Sequence, residues 1–503
     1  MLVKVVILAV FVIVTVGVGV HFNSRVNDVS GFVLGGRAVG PWLTAFAYGT
    51  SYFSAVIFVG YAGQFGWRFG VASTWIGLGN AFIGSLLAWV VLGKRTNMMT
   101  RKLGSSTMPE FFGQRYNSVG MKLASSAIIF IFLIPYTASL YNGLSRLFAM
   151  AFNIDYSVCI IAMALLTGVY VVAGGYVATA VNDFIQGIVM LGGIVAVIIA
   201  VLRVNGGFVA SMEALALVSD PETTTMNGAF ASFFGPDPFG LLSVTILTSL
   251  GTWGLPQMVQ KFYAIKSEKA IGKGTLISTI FAIIIAGGCY FLGGFGRIFT
   301  TPEVVARDGF DAIVPTMLSG MSPLLMGIIV ILVLSASMST LSALVLTSSS
   351  TLTLDFIKGH VIEEMDEKKQ LIFMRVLVVI FIAISCVIAL VQYSGGISFF
   401  IAQLMGISWG TLAGAFLAPF LYGLYSKKIS RASVWCCFIF AIVLMVSNIF
   451  FRSSFPVIIQ SPINCGAFAM LAGLVIVPVV SLFTKKTEKD VVDNAFSCFV
   501  KEA

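Results

Sequence analysis

Gly251-Thr252-Trp253-Gly254-Leu255-Pro256 interrupts an apolar run that extends from 238 to 260. A run of that length suffices for one helical crossing of a hydrocarbon core of roughly 30 Å. Glycines and a proline at its centre are helix breakers. A second interrupted run lies nearer the N-terminus, where 41–64 contains Gly49-Thr50-Ser51-Tyr52-Phe53-Ser54. Freed backbone groups at membrane depth are tolerated only where protein or water satisfies them, so each break marks a polar position inside a bundle.

Working outward, the rest of the chain is a series of similar runs. Hydrophobic residues make up 58% of 503 positions, charged residues 10%, and mean hydropathy is +0.99, a composition suited to lipid as solvent. Thirteen spans are expected, at 2–20, 41–64, 70–93, 123–151, 156–173, 181–202, 238–260, 274–296, 322–354, 371–393, 396–424, 432–451 and 462–484. The first lacks an A-x-A cleavage pattern before His21 and is kept as a mature helix.

The interrupted spans are the second and the seventh. They hold the same place in two successive five-helix units, spans 2 to 6 (about 40–202) and 7 to 11 (about 238–424). An odd repeat length inverts the second unit, and paired broken helices point to a central site in inverted-repeat transporters. Helices 2–20, 432–451 and 462–484 are additional, and 1–503 reads as one transmembrane transporter domain. Each break, taken singly, is also ordinary for membrane helices.

Lys and Arg fix the orientation, because cytoplasmic loops collect them. With the N-terminus outside and the C-terminus cytoplasmic, 23 of the 30 fall on the inner side, among them Arg25, Lys94, Arg115, Lys261, Lys358, Lys427 and Lys501. The long outer gaps 203–237 and 297–321 hold Glu213, Asp220, Glu222, Asp237, Glu303, Asp308 and Asp311 against three arginines. The net charge of +9 therefore reports topology in a cell (inner) membrane, with the lipid bilayer as partner and no nucleic acid. No obligatory protein partner is evident. The tail from Lys485 and the loop 360–370 read as solvated charged segments.

Asp183 is the carboxylate that lies clearly inside an apolar span. A charge there costs about 2.5–3.5 kcal/mol on insertion scales and needs a cation, a counter-charge or water. Its place near a helix start also suits an N-cap. The ninth span carries Ser335-Ala336-Ser337-Met338-Ser339-Thr340-Leu341-Ser342, in which 335, 339 and 342 share one helical face. Such hydroxyls serve close helix packing or, with carbonyls freed at a break, ligate an alkali cation. Only two histidines occur, with no H-E-x-x-H and no G-x-x-x-x-G-K-[ST], so no enzyme chemistry or ATP use is indicated. Seven scattered cysteines show no metal spacing.

Over nearly its full length the chain resembles the sodium:solute symporter family. The matching stretches are Leu34-Gly35-Gly36-Arg37 with Gly40-Pro41, Ala173-Gly174-Gly175, Asn182-Asp183, Gln186-Gly187, Gly254-Leu255-Pro256, and Met338-Ser339-Thr340-Leu341-Ser342 leading to Asp355. The resemblance implies an all-α integral membrane protein with the leucine-transporter-like fold and alternating access. It implies carbonyl ligands for sodium from Thr50, Phe53 and Ala336 and hydroxyl ligands from Ser339 and Thr340. It also implies, in some members, a second cation held by residues matching Asp183, Ser339 and Ser342, although a further hydroxyl of that site is Ala343 here.

The loop pattern is most similar to the pantothenate permeases, with the proline permeases next; Tyr52 stands where the latter carry Asp, and Thr248 where they carry Trp. The expected function is sodium-coupled import of a small polar solute: a pantothenate-like carboxylate, proline or another amino acid, or a monocarboxylate. Tyr52, Ser54, Tyr136, Trp253, Gly254 and Pro256 are the expected solute-site residues, and Na+ serves as coupling ion without any other cofactor. Proton coupling through Asp183 is the rival, and a solute sensor that does not transport is the remoter one.

Overall fold

The computed structural model describes residues 2–23, 28–221, 223–395 and 401–499. Arg25, Glu222 and Lys501 lie outside them. Among the described residues there are helices and isolated bridges but no strand, as expected where every backbone group must be satisfied within the lipid. Many helices begin at a side-chain cap: Asp155 accepts from Ser157 N at 2.9 Å, Asp366 from Lys369 N at 2.7 Å, and Ser430 from Ser433 N at 3.1 Å.

Among the described residues ten helices are long and apolar enough to cross a membrane, or eleven when the bent pair Pro238–Trp253 and Pro256–Ala264 is taken as one span. The difference from thirteen has local causes. Pro41–Thr50 is a ten-residue half helix, and Tyr156–Val169 is too short to qualify alone. The stretch Val56–Leu103 counts as one helix of 48 residues, but Gly70, at φ 62° and ψ −145°, turns the chain in its middle. Gly175 does the same within Tyr156–Val204, at φ 58° and ψ −167°. Side chains are strongly disfavoured at such angles, so glycine permits both turns.

Helix Pro323–Thr351 runs through the centre and is buried on every side from 332 to 351. That explains its Ser and Ala content, since small residues let neighbouring helices approach and hydroxyls find partners across the contact. Helices Leu2–Asn23 and Glu367–Tyr393 instead expose Leu2, Val5, Val10, Ile13, Val376, Val379 and Val387, an apolar surface that suits lipid.

The charged ends are tied by ion pairs. Near one end Arg68 meets Asp237 at 2.5 Å, and Arg297 meets Asp220 at 2.9 Å while lying over Phe230. The Thr223 hydroxyl and then Arg297 hold the Asp220 carboxyl below the usual carboxylate range, against a smaller opposing effect of burial. Lys94–Glu268 at 2.8 Å and Lys427–Asp493 at 2.8 Å tie segments at the basic end.

Three expectations are corrected here. The tail is not a free solvated segment, because helix Lys489–Phe496 buries Val492, Ala495 and Phe496. Glu488 pairs with Arg431, and Phe496 lies under Arg115. Arg115 is not a loop charge: it is fully buried and donates to the carbonyls of Gly423 at 2.9 Å and Ser426 at 2.8 Å, which end a neighbouring helix. Lys261 is likewise buried, at 3% exposure, within helix Pro256–Ala264.

Candidate functional site

The first break frees backbone groups that a continuous helix would pair. Helix Pro41–Thr50 ends at Ser51, and the chain resumes helical geometry at Ala55, passing at once into widened π-type turns over Val56–Tyr61. The freed groups are met by the hydroxyl-rich helix. Ser339 donates to the Thr50 carbonyl at 3.0 Å, Thr340 donates to the same oxygen at 3.2 Å, and Ala55 N donates to Ser337 Oγ at 3.3 Å.

Both hydroxyls also reach the Ala336 carbonyl, Ser339 at 3.1 Å and Thr340 at 3.0 Å. Four oxygens, those of Thr50, Ala336, Ser339 and Thr340, are thus clustered at hydrogen-bond spacing with no solvent exposure above 4%. Phe53 is buried beside them and lines a small cavity together with Ala336 and Ser54. Among the described residues no group of three His, Cys, Asp or Glu side chains converges. The donor set is therefore neutral and oxygen-only, the chemistry of an alkali cation and not of a transition metal.

The shared face expected for 335, 339 and 342 is only partly realised. Ser342 turns back to the Ser339 carbonyl at 2.9 Å, and the Ser335 hydroxyl has no hydrogen-bond partner. Ser339 and its neighbour Thr340 are the pair that reaches across.

The second break lies against the first. The Tyr52 hydroxyl donates to the Thr248 carbonyl at 2.6 Å, just before Gly251. Tyr48, at 2.7 Å, and Thr252, at 3.0 Å, both donate to the Gly84 carbonyl. Trp253 donates its indole N–H to the Ile83 carbonyl at 3.0 Å. Gly254 is needed for close approach, since a Cβ there would meet Leu417 N at 2.8 Å. Pro256 opens the second half helix at its first position, where its missing N–H costs nothing.

Tyr52 stacks on Trp409 with ring centroids 5.5 Å apart, and Tyr136 meets the same ring edge-on at 5.9 Å. The polar neighbours of the Tyr136 hydroxyl are Ser54 and the Trp409 indole, yet neither Tyr136 Oη nor Trp409 Nε1 completes a hydrogen bond. Trp409 was not anticipated. Its signal in the sequence was a tryptophan between Gly406 and Gly410, deep within a span and far from any interfacial belt.

Asp183 sits well inside the helix that restarts at Gly175, so it is not an N-cap. It is 1% exposed, and neither carboxylate oxygen accepts a hydrogen bond. The Ser339 and Ser342 hydroxyls donate elsewhere. The charged group facing it is Lys261, with Nζ 4.0 Å from Oδ2. Asp183 is also not the sole carboxylate buried within a span: Asp355, fully buried, accepts from Thr107 Oγ1 at 2.5 Å and pairs with Lys122 at 3.5 Å.

The sodium/proline symporter 2 of Staphylococcus saprophyticus is 29% identical over 418 residues, covering 82% of this chain and 78% of that protein. The sodium/proline symporter of Haemophilus influenzae is 28% identical over 501 residues, covering 96% and 95%. Among solved structures, a Na+-coupled sialic acid symporter in a substrate-bound outward-open state superposes with a TM-score of 0.73 at 15% identity, over 97% of this chain and 99% of that one. A nucleobase-cation-symport-1 family transporter in a closed conformation gives 0.52 at 14% identity, over 92% and 97%. At such identities these two speak for the fold alone. The pattern of the sodium:solute symporter family matches residues 32–439, spanning both broken helices and the hydroxyl-rich helix, and the chain belongs to that family of transporters.

Proposed function

We propose that this protein is a sodium-coupled symporter that imports a small polar organic solute by alternating access. The observation that carries the reading is the cluster in which Ser339 and Thr340 hydroxyls meet the carbonyls of Thr50 and Ala336 at 3.0–3.2 Å. A sodium ion entering there exchanges hydroxyl-to-carbonyl bonds for ion–oxygen contacts, with Phe53 supplying a further carbonyl. Because Thr50 and the two hydroxyls belong to different helices, the ion clamps the broken helix to helix Pro323–Thr351. That clamp makes the conformational equilibrium sodium-dependent.

The solute site lies beside it, around Tyr52, Ser54, Tyr136 and Trp409, with Trp253, Gly254 and Pro256 shaping its far wall. Aromatic faces with polar tips suit a small amphipathic solute, and the half-helix ends suit a carboxylate. Counting Gly70 and Gly175 as turns gives thirteen crossings, with 41–204 and 238–425 as inverted five-helix repeats. The basic residues then put the C-terminus in the cytoplasm. Relatives named as sodium/proline symporters make proline the first solute to test. The contact between Tyr52 and Thr248, the two positions that depart from the proline permeases, makes pantothenate and short monocarboxylates the next.

The test is uptake into proteoliposomes under an imposed sodium gradient at fixed pH, with L-proline, pantothenate and lactate as probes. Sodium-driven accumulation of one of them supports the reading. Accumulation that follows a proton gradient and ignores sodium overturns it.

A further inference from the structure

Resting on that sodium reading, we propose that Lys261 is the built-in cation of Asp183, so that this carboxylate takes no second sodium and the carrier binds one ion per chain. The two side chains come from different elements, Asp183 from helix Tyr156–Val204 and Lys261 from the half helix after the second break. Both are buried, at 1% and 3% exposure, with Nζ and Oδ2 4.0 Å apart. The ammonium also lies 5.0 Å from the centre of the Tyr176 ring. A carboxylate and an aromatic face are the two groups that hold an alkylammonium away from water.

The same geometry argues against a metal ion at this carboxylate. Neither oxygen of Asp183 is met by a hydroxyl, because Ser339 is directed to Thr50 and Ser342 to its own helix, and position 343 is alanine. A sodium ion here would have one charged ligand and a like charge on Lys261 as neighbour, which disfavours its binding. A tethered ammonium supplies the neutralising charge without loss of a free ion's translational entropy. Removing it leaves Asp183 as an uncompensated buried anion, which then recruits a cation from solution. Gln186, three residues beyond Asp183, and Gln257, four before Lys261, have side-chain amides without partners. They lie on the same helix faces as the pair and offer amide oxygens to an ion that replaces the ammonium.

The experiment is equilibrium binding of radioactive sodium to the purified full-length protein in detergent, which needs no knowledge of the solute. Wild type is expected to bind one sodium per chain. K261Q is expected to bind two, and D183N/K261Q to return to one. Two sodium ions on wild type, or no change in K261Q while it remains folded, overturns the proposal. No sodium bound to wild type overturns the sodium reading instead. The pairing itself is then read from a double-mutant cycle on thermal unfolding, in which the double variant should be more stable than either single one. Additive losses in that cycle overturn the pair. The same cycle serves if K261Q proves too unstable for the binding measurement.

Discussion

Thr340→Ala removes one hydroxyl from the proposed sodium site and little else. The lost groups are a donor to the Thr50 carbonyl at 3.2 Å and to the Ala336 carbonyl, four residues earlier on the same helix, at 3.0 Å. Ser339 Oγ still lies 3.0 Å from the Thr50 carbonyl, and its single proton can serve that oxygen, so the carbonyl freed at the break keeps a donor. The cost to folding is then that of one ordinary hydrogen bond plus a small void, about 1 kcal/mol. With sodium bound, the hydroxyl faces a full charge, and contacts of that kind are worth about 1.5–3 kcal/mol. The affinity change is the difference between the two losses, about 0.5–2 kcal/mol, so at 1.4 kcal/mol per tenfold the sodium concentration for half-maximal uptake should rise roughly 2- to 30-fold. The assay is initial uptake against external sodium, together with a thermal melt of the same preparation. Thr340→Ser, which keeps the hydroxyl, should stay near wild type. If Thr340→Ala shows unchanged sodium dependence while folded, or Thr340→Ser is as impaired as alanine, the oxygen cluster is a helix-packing contact and not the ion site.

Other outcomes follow from the same geometry. A cysteine at position 52 or 54 in a cysteine-free background should be shielded from a thiol reagent by the transported solute; reactivity indifferent to every transported solute removes both residues from the cavity. Gly254→Val places a side chain where a Cβ already meets Leu417 N at 2.8 Å, so membrane yield should fall sharply, as read by fluorescence size-exclusion of a tagged protein. Phe496→Ala should loosen the tail helix from Arg115, seen as faster proteolysis after residue 484 with sodium affinity unchanged. The Arg297–Asp220 tie should persist from neutral pH downward. The Asp220 carboxyl lies below its usual value in the folded protein, so its contribution is present above about pH 4, the unfolded carboxylate value. That contribution is lost only as pH falls further, through the lower folded value. Wild type and Asp220→Asn should therefore differ in melting temperature at pH 7 and converge in strong acid.

Much of this architecture is written in one dimension. Lipid leaves a spanning chain few options, so apolar runs of about 20 residues announce helices, and glycine with proline announces breaks whatever the neighbours do. Both breaks, at 51–54 and 254–255, stand where the residue pattern puts them, and Lys and Arg mark the water-facing ends. Gly70 and Gly175 turn the chain through positive φ at the boundaries expected between 41–64 and 70–93 and between 156–173 and 181–202, whereas helix length and hydropathy alone merge or drop those segments.

Interhelical partnership lies further still from sequence alone. Periodicity says that Ser335, Ser339 and Ser342 share a face, but which hydroxyl reaches the next helix depends on crossing geometry, and Ser339 with Thr340 proved to be the pair. Trp409 became a ring platform for Tyr52 and Tyr136 only through packing across more than 270 residues of chain. Lys261 looked like a loop charge because burial is invisible in composition. Its meeting with Asp183 brings together residues from two helices far apart in the chain. Local chemistry, then, determined the solvent, the helices, the breaks and the kinds of ligand available. Tertiary packing alone decided which oxygens face one another and which charges neutralise, because those contacts arise where distant helices cross.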